Sequence, residues 1–272
     1  MIDLTLVFLP IVGFLIGLLV TTLGGGGGGL YVPILTLLGV APQVAVATSL
    51  ATVLPTTAVG AYSHNRKGNV DVQTGLILGA GGIIGTLLGA YVANLIPPNL
   101  LKKSLGLLLL IFAIPMIRRF INTYRKSKNP TDTNAKNQEV VDDPDRETLK
   151  LKGPKRIFAS LFGVAGGVLA GVFGLSGTPP ISAGLYSLGL PTIMVVGTTV
   201  FVLVFNSLAG IGGYLFLGRF DVVLTVLLGG GAVVGSFLGP KLLEKAGKEA
   251  VEKFIPPVLI SISVIFGLAL IF

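Results

Sequence analysis

The sequence predicts an all-α polytopic membrane protein with eight to ten transmembrane helices in two homologous halves, an inverted repeat containing glycine-broken helices. Three observations carry that prediction. Apolar runs of bilayer-spanning length recur along the chain, charge is nearly absent from those runs, and the two halves match without a gap at a shift of 150 residues.

Of the 272 residues, 52% are hydrophobic and 12% charged, against about a quarter charged in soluble proteins. Mean hydropathy is +0.87. Basic and acidic residues number 20 and 12, and 17 of these 32 fall between Arg118 and Arg156. A soluble domain of this size could not be clothed by the remainder. Cysteine is absent, which excludes disulfides, thiolate nucleophiles and cysteine-based metal sites. The net charge of +8 resides in loops, as the positive-inside bias requires, so nucleic acid is set aside as a partner.

A helix needs about 20 apolar residues to cross a hydrocarbon core of about 30 Å. Eight runs qualify: Leu4–Leu23, Pro42–Ser63, Val72–Ile96, Leu100–Ile117, Ile157–Leu175, Thr192–Leu217, Val222–Leu242 and Phe254–Phe272. The first has no basic n-region, since no Lys or Arg precedes Arg66, and is read as a span rather than a signal peptide. Two shorter pieces, Leu30–Val40 and Pro180–Leu190, follow glycine- or proline-rich breaks. The chain divides into a first membrane repeat (1–120), a charged linker (121–154) and a second membrane repeat (155–272). The basic linker is expected in the cytoplasm, and the whole chain in the cytoplasmic (inner) membrane of a prokaryote.

Over Gly13–Gly89 the shift of 150 gives 20 identities in 77 positions, among them Thr48 with Thr198 and Asp71 with Asp221. If the short pieces re-enter, each half has four spans and the repeats are parallel; if they cross, each has five and the repeats are inverted. The inverted arrangement is favoured because it also places Lys241, Lys245, Lys248 and Lys253 on the cytoplasmic side.

Six consecutive glycines, Gly24–Gly29, interrupt the first half, and Gly174-Leu175-Ser176-Gly177-Thr178-Pro179-Pro180 interrupts the second. Six glycines cannot form a comfortable helix, at about 1 kcal/mol each relative to Ala. Irregular backbone at membrane depth persists only where protein buries it or it lines a cavity, and paired interruptions point to a transporter's substrate site. A helix starting after such a break turns free N–H groups and the positive dipole end towards an anion. The candidate substrate-binding set is therefore Gly26, Gly27, Gly28, Gly29, Ser176, Gly177 and Thr178, joined by Thr48, Ser49, Thr52, Thr198, Thr199 and Asn206, whose hydroxyls and amide can donate without placing a charge in the bilayer. Close helix packing by the glycines, and hydroxyls bonded to their own helices, are the alternative readings.

Glycines at four-residue spacing, Gly81/Gly85/Gly89, Gly163/Gly167/Gly171 and Gly231/Gly235/Gly239, are expected to pack helices. Asp71 and Asp221 stand at the start of spans, where an N-cap is expected. His64, the one histidine, is a membrane-boundary residue or a proton-coupling group. No carboxylate pair, metal-ligand cluster or Ser/His/Asp set lies within the spans, so no catalytic residue, metal or cofactor is assigned and an enzyme is not expected.

The glycine turn with Leu30-Tyr31-Val32-Pro33-Ile34-Leu35, Gly39, Ala47-Thr48-Ser49, His64 through Asp71 and the Gly79–Gly89 ladder resembles the sulfite exporter TauE/SafE family, also called the toluene sulfonate uptake permease family. The resemblance covers nearly the whole chain except the central loop. It implies a permease for small sulfur-containing anions such as sulfite, sulfoacetate or other sulfonates, working in either direction. The expected protein is a secondary carrier for such an anion, coupled to H+ or Na+ and operating by alternating access. A passive anion channel and a non-transporting membrane scaffold are the rival readings, and the sequence specifies no oligomeric state.

Overall fold

The computed structural model describes residues 4–21, 28–128, 154–246 and 248–272. Ten helices fill them: α1 (Leu4–Thr21), α2 (Gly28–Leu37), α3 (Pro42–Arg66), α4 (Val72–Leu95), α5 (Pro98–Lys128), α6 (Pro154–Phe173), α7 (Thr178–Ser187), α8 (Thr192–Phe216), α9 (Val222–Ala246) and α10 (Lys248–Ile271). Gly26 and Gly27 lie outside the described residues, as does most of the linker. Among the described residues five helices are long and apolar enough to cross a bilayer by length and composition: Pro42–Arg66, Val72–Leu95, Pro98–Arg118, Thr192–Phe216 and Val222–Gly239. Leu15, Leu88, Val226 and Phe237 are exposed on the outside of the bundle. An apolar exterior of this kind needs lipid, and the chain is an integral membrane protein.

Local chemistry fixes the helix ends. α2, α3, α7 and α8 each stop at a glycine with positive φ: Gly39, Gly68, Gly189 and Gly218. The next N–H then bonds back to a carbonyl in the last turn, as Asn69 does to His64 (3.0 Å) and Arg219 to Tyr214 (2.9 Å), which closes the helix with a Schellman-type cap. Asp71 caps α4, its Oδ1 accepting from the Thr74 N–H (3.1 Å) and its Oδ2 from the Thr74 hydroxyl (2.7 Å). Asp221 caps α9 through the Leu224 N–H (3.0 Å). Both aspartates thus have the expected capping role. Asp71→Ala should lower stability by about 1 kcal/mol and Asp71→Asn by less, as thermal unfolding in detergent would measure.

The glycine ladders set the long pairings. A methyl group added at Gly163, Gly167 or Gly171 of α6 would overlap the carbonyls of Leu78, Gly82 and Thr86 of α4. In return, Gly81 and Gly85 face the carbonyls of Ser160 and Val164. Residue numbers rise together, so α4 and α6 run parallel with touching backbones. The same approach recurs between α1 and α9: Gly13 and Gly17 meet Leu228 and Ala232, while Gly231 and Gly235 meet Pro10 and Phe14. Each of these contacts is the α4–α6 set moved by 150 positions.

Two pairs of helices in corresponding places, α3 with α8 and α5 with α10, run in opposite directions. Across α3 and α8, Gly60 lies against Val200 and Gly210 against Leu50, so that pair is antiparallel. α5 and α10 are antiparallel as well, with Gly106 beside Leu270 and Gly267 beside Leu110. α4 and α8 run parallel, Gly75 meeting Phe201, Gly79 meeting Phe205 and Gly213 meeting Leu87. It follows that α6 and α8 share a direction and that the short α7 must return between them. It does so against α6, with Ile181 beside Gly166 and Gly184 beside Phe162. At ten residues it is about 15 Å long, half a bilayer.

Candidate functional site

The second break shows how a helix comes to start inside the membrane. α6 ends at Phe173, yet Gly177 rests against the backbone of Gly166, seven residues earlier and about 10 Å back along the axis. Gly167 beside it faces Gly82 and Thr86, at the middle of α4. The chain from Gly174 to Gly177 therefore turns back to mid-depth before α7 begins. Positive φ values at Gly174 (66°), Ser176 (61°) and Gly177 (73°) make this turn. Ser176 is the non-glycine residue among them and is buried.

Elements of the first half hold the break. The Ser49 hydroxyl donates to the Gly174 carbonyl (3.1 Å), Val32 and Val46 pack on Gly174, and Gly29 at the start of α2 lies beside Leu175. Tyr214, fully buried, donates its hydroxyl to the Gly171 carbonyl (2.6 Å) in the last turn of α6. The starts of α2 and α7 differ chemically. Gly28, Gly29 and Leu30 each carry an N–H, whereas after Thr178 the prolines Pro179 and Pro180 have none. Of the two helix starts, α2 is the better donor.

The hydroxyl and amide residues fall into three places. Ser49 sits beside the second break and Thr52 beside Gly229 of α9; the Thr52 hydroxyl is bonded to the Thr48 carbonyl (2.8 Å), while Thr48 Oγ1 is buried with no hydrogen-bond partner among the described residues. Thr198 and Thr199 lie at the other end. Thr198 Oγ1 accepts the Asp71 N–H (2.9 Å), Gly197 presses on the Asn69 carbonyl, and His64 packs there too. Because Leu50 faces Gly210 and Gly60 faces Val200, Thr48 and Thr198 stand about 14 residues apart in level, or about 21 Å. They do not meet in one pocket.

The third place is the middle. Asn206 is fully buried, its Oδ1 lies against Gly82, and neither of its amide atoms has a hydrogen-bond partner among the described residues. Thr86, one turn along α4, is also fully buried with an unpartnered hydroxyl, as is the Ser207 hydroxyl beside Asn206. Buried polar atoms are nearly always paired; the hydroxyls of Thr36, Thr48 and Thr199 and His64 Nδ1 also lack a partner among the described residues, and Asn206, Thr86 and Ser207 are the ones that share the middle level. Among the residues whose burial is described no charged side chain is buried, and no group of three or more potential metal ligands occurs among the described residues. Thr86 escaped the sequence reading because a single threonine inside a glycine ladder reads as packing; its alignment with Ser236 was the available signal.

A family model described as sulfite exporter TauE/SafE matches residues 9–268. The chain belongs to the TauE/SafE family. It is similar to probable membrane transporter protein YdhB of Bacillus subtilis (strain 168), 31% identical over 261 residues covering 94% of this chain and 98% of the relative. A second Bacillus subtilis relative, probable membrane transporter protein YjnA, is 30% identical over 85% of this chain and 89% of its own length. An archaeal one, probable membrane transporter protein MJ0441 of Methanocaldococcus jannaschii, is 28% identical over 89% and 88%. No solved structure matches significantly. The TauE/SafE resemblance expected from the sequence thus holds over the whole membrane region, and the protein is a membrane transporter rather than an enzyme.

Within this TauE/SafE protein the ladder glycines have the packing role, and Ser49 and Thr198 are tied to backbone partners. His64 sits at the end of α3, its carbonyl accepting from Lys67 (3.2 Å) and Asn69 (3.0 Å). It stands about nine residues in level from Asn206, or about 14 Å.

Proposed function

We propose that the protein is a secondary carrier for small sulfur-containing oxyanions, a duplicated inverted repeat that works by alternating access around a mid-depth site. The observation that supports this most is the unpaired cluster of Asn206, Thr86 and Ser207, level with the start of α7. The anion is held by these groups and by the N–H groups that open α2, with the positive dipole ends of α2 and α7 supplying the field. Thr48, Ser49, Thr198 and Thr199 serve the two entrances rather than the anion itself.

An asymmetry between the halves supports the alternation. At a shift of 150, the Asp71–Thr198 contact corresponds to Asp221–Thr48. The first is made at 2.9 Å, whereas Thr48 Oγ1 is unpartnered. The α4–α8 seam is correspondingly tight, with Phe201 and Phe205 against Gly75 and Gly79, while Gly229 of α9, which matches Gly79, only touches Thr52. With the linker in the cytoplasm, the cytoplasmic entrance is the latched one, and in the opposite state Asp221 engages Thr48.

Counterflow in proteoliposomes tests the carrier: sulfite or a sulfonate inside should accelerate uptake of the labelled anion, and conduction without counterflow would leave a channel. Thr198→Val removes the latch acceptor and should shift the population towards the cytoplasm-open state by about tenfold, the worth of one hydrogen bond. Since the chain has no cysteine, Phe201→Cys reports the change through faster labelling by a polar maleimide. Equal rates with and without Thr198→Val would dismiss the latch.

A further inference from the structure

We infer that His64 is a cytoplasmic pH sensor: in the cytoplasm-open state its protonated ring binds the C-terminal carbonyls of α1 at Thr21 and draws the carrier towards that state. This rests on the carrier reading and adds a regulator of it, separate from the anion site.

Three hydrogen bonds made here have counterparts, at the shift of 150, whose side chains stand unpaired. The Asp71 N–H reaches Thr198, the Ser49 hydroxyl reaches the Gly174 carbonyl, and the Tyr214 hydroxyl reaches the Gly171 carbonyl. The matching pairs are Asp221 with Thr48, Thr199 with Gly24, and His64 with Thr21. Thr48 Oγ1, Thr199 Oγ1 and His64 Nδ1 are each buried with no partner among the described residues; Gly24 lies outside them. When the halves exchange conformations, each of these atoms gains the partner its twin already has.

The third pair alone changes chemical type. A phenol in the second half is matched by an imidazole in the first, the side chain that takes up a proton near neutral pH. Thr21 is the last residue of α1. The final carbonyls of a helix have no partner within it and form the negative end of its dipole, which favours a cation. A charged ring carries an N–H on both nitrogens, so Nδ1 is then always a donor.

The surroundings supply no better partner. Arg66 and Lys67 follow His64 on α3, and the Asp71 carboxylate is engaged by Thr74. α8, which meets His64 at Gly197, carries no charged residue, and neither does α1. Twelve residues on from the Thr52–Gly229 contact, Lys241 of α9 stands level with His64. Glu244 matches Asn94, whose partner Arg219 matches Asn69, so the repeat directs Glu244 to Asn69. The ring is half-buried at the end of α3, about 14 Å in level from Asn206. Its proton comes from the cytoplasm and returns there, so pH sets a population and no proton is carried across. A group that binds its proton more tightly in one state draws the protein to that state as pH falls.

The test is labelling of full-length Phe201→Cys by a polar maleimide, with and without His64→Gln, at about pH 6 and about pH 8. Glutamine keeps a donor and does not titrate, so the ratio of the two rates removes the pH dependence of the thiol. That ratio should rise about threefold to tenfold on acidification, the worth of a cation at a helix C-terminus. A ratio unchanged by pH overturns the inference. In proteoliposomes, acidifying the linker side alone should reproduce the rise; a response to the other side overturns it. Loss of proton-driven anion accumulation in His64→Gln would make the ring a coupling group and overturns it as well. If His64→Gln fails to fold, His64→Tyr, which copies the second half, takes its place as the reference. Absence of any anion counterflow would instead remove the carrier reading, leaving the labelling result to stand on its own.

Discussion

Gly167→Leu is expected to leave no monodisperse protein after size exclusion in detergent. Gly167 faces the Gly82 carbonyl and the Thr86 N–H with no room for a single methyl group. Overpacking ordinarily costs about 1–3 kcal/mol because side chains yield, but here the obstacle is backbone. Relief requires lifting α6 away from α4, which also breaks the approaches at Gly163 and Gly171. The close contact of two backbones is the main attraction available between helices in lipid, where no hydrophobic drive exists. Gly230→Ala is the matching control, since a methyl group there meets nothing within 4 Å; it should be neutral. A Gly167→Leu protein as stable as Gly230→Ala would sink the packing account.

Gly177→Val carries the second largest effect. At φ 73° a residue with a Cβ pays about 1–2 kcal/mol, and a β-branched one more. The added carbons would also overlap the Gly166 carbonyl and push α7 off α6. Transport should be lost and the melting temperature should fall. Gly68 separates the two causes: it has the same φ of 73° but nothing within 4 Å. Gly68→Ala pays the conformational cost alone, so the extra loss in Gly177→Ala measures the contact. Equal losses at the two positions would show that the break is not held against α6.

Much of the architecture was legible because hydropathy marks the long apolar helices. The boundaries of α3 and α8, Pro42–Arg66 and Thr192–Phe216, differ by 150 at both ends, the register read from Thr48 and Thr198. The depth of the site was not legible. Thr48 and Thr198 match in sequence, but α3 and α8 run antiparallel, which places the two residues on opposite sides of the middle. Composition likewise could not separate Ser49, occupied by the Gly174 carbonyl, from Asn206, whose amide is unpaired. That difference is made by which helix faces which. The short segments were left between re-entry and crossing because ten apolar residues are compatible with either, and the return of α7 along α6 is a tertiary choice.

The pairing of α1 with α9 constrains how the protein can be made. Gly13 and Leu228 approach across a separation of 215 residues, so at about 5–20 residues per second the first helix waits roughly 10–45 s in the bilayer before its partner is synthesised. The α4–α6 pair closes far sooner, after about 80 residues. Neither half can bury its own ladder alone, because each ladder is completed by the other. Assembly is therefore a late event governed by the last third of the chain, and a ribosome stalled before α9 releases a protein whose α1 glycine face is still open to lipid or to another membrane helix.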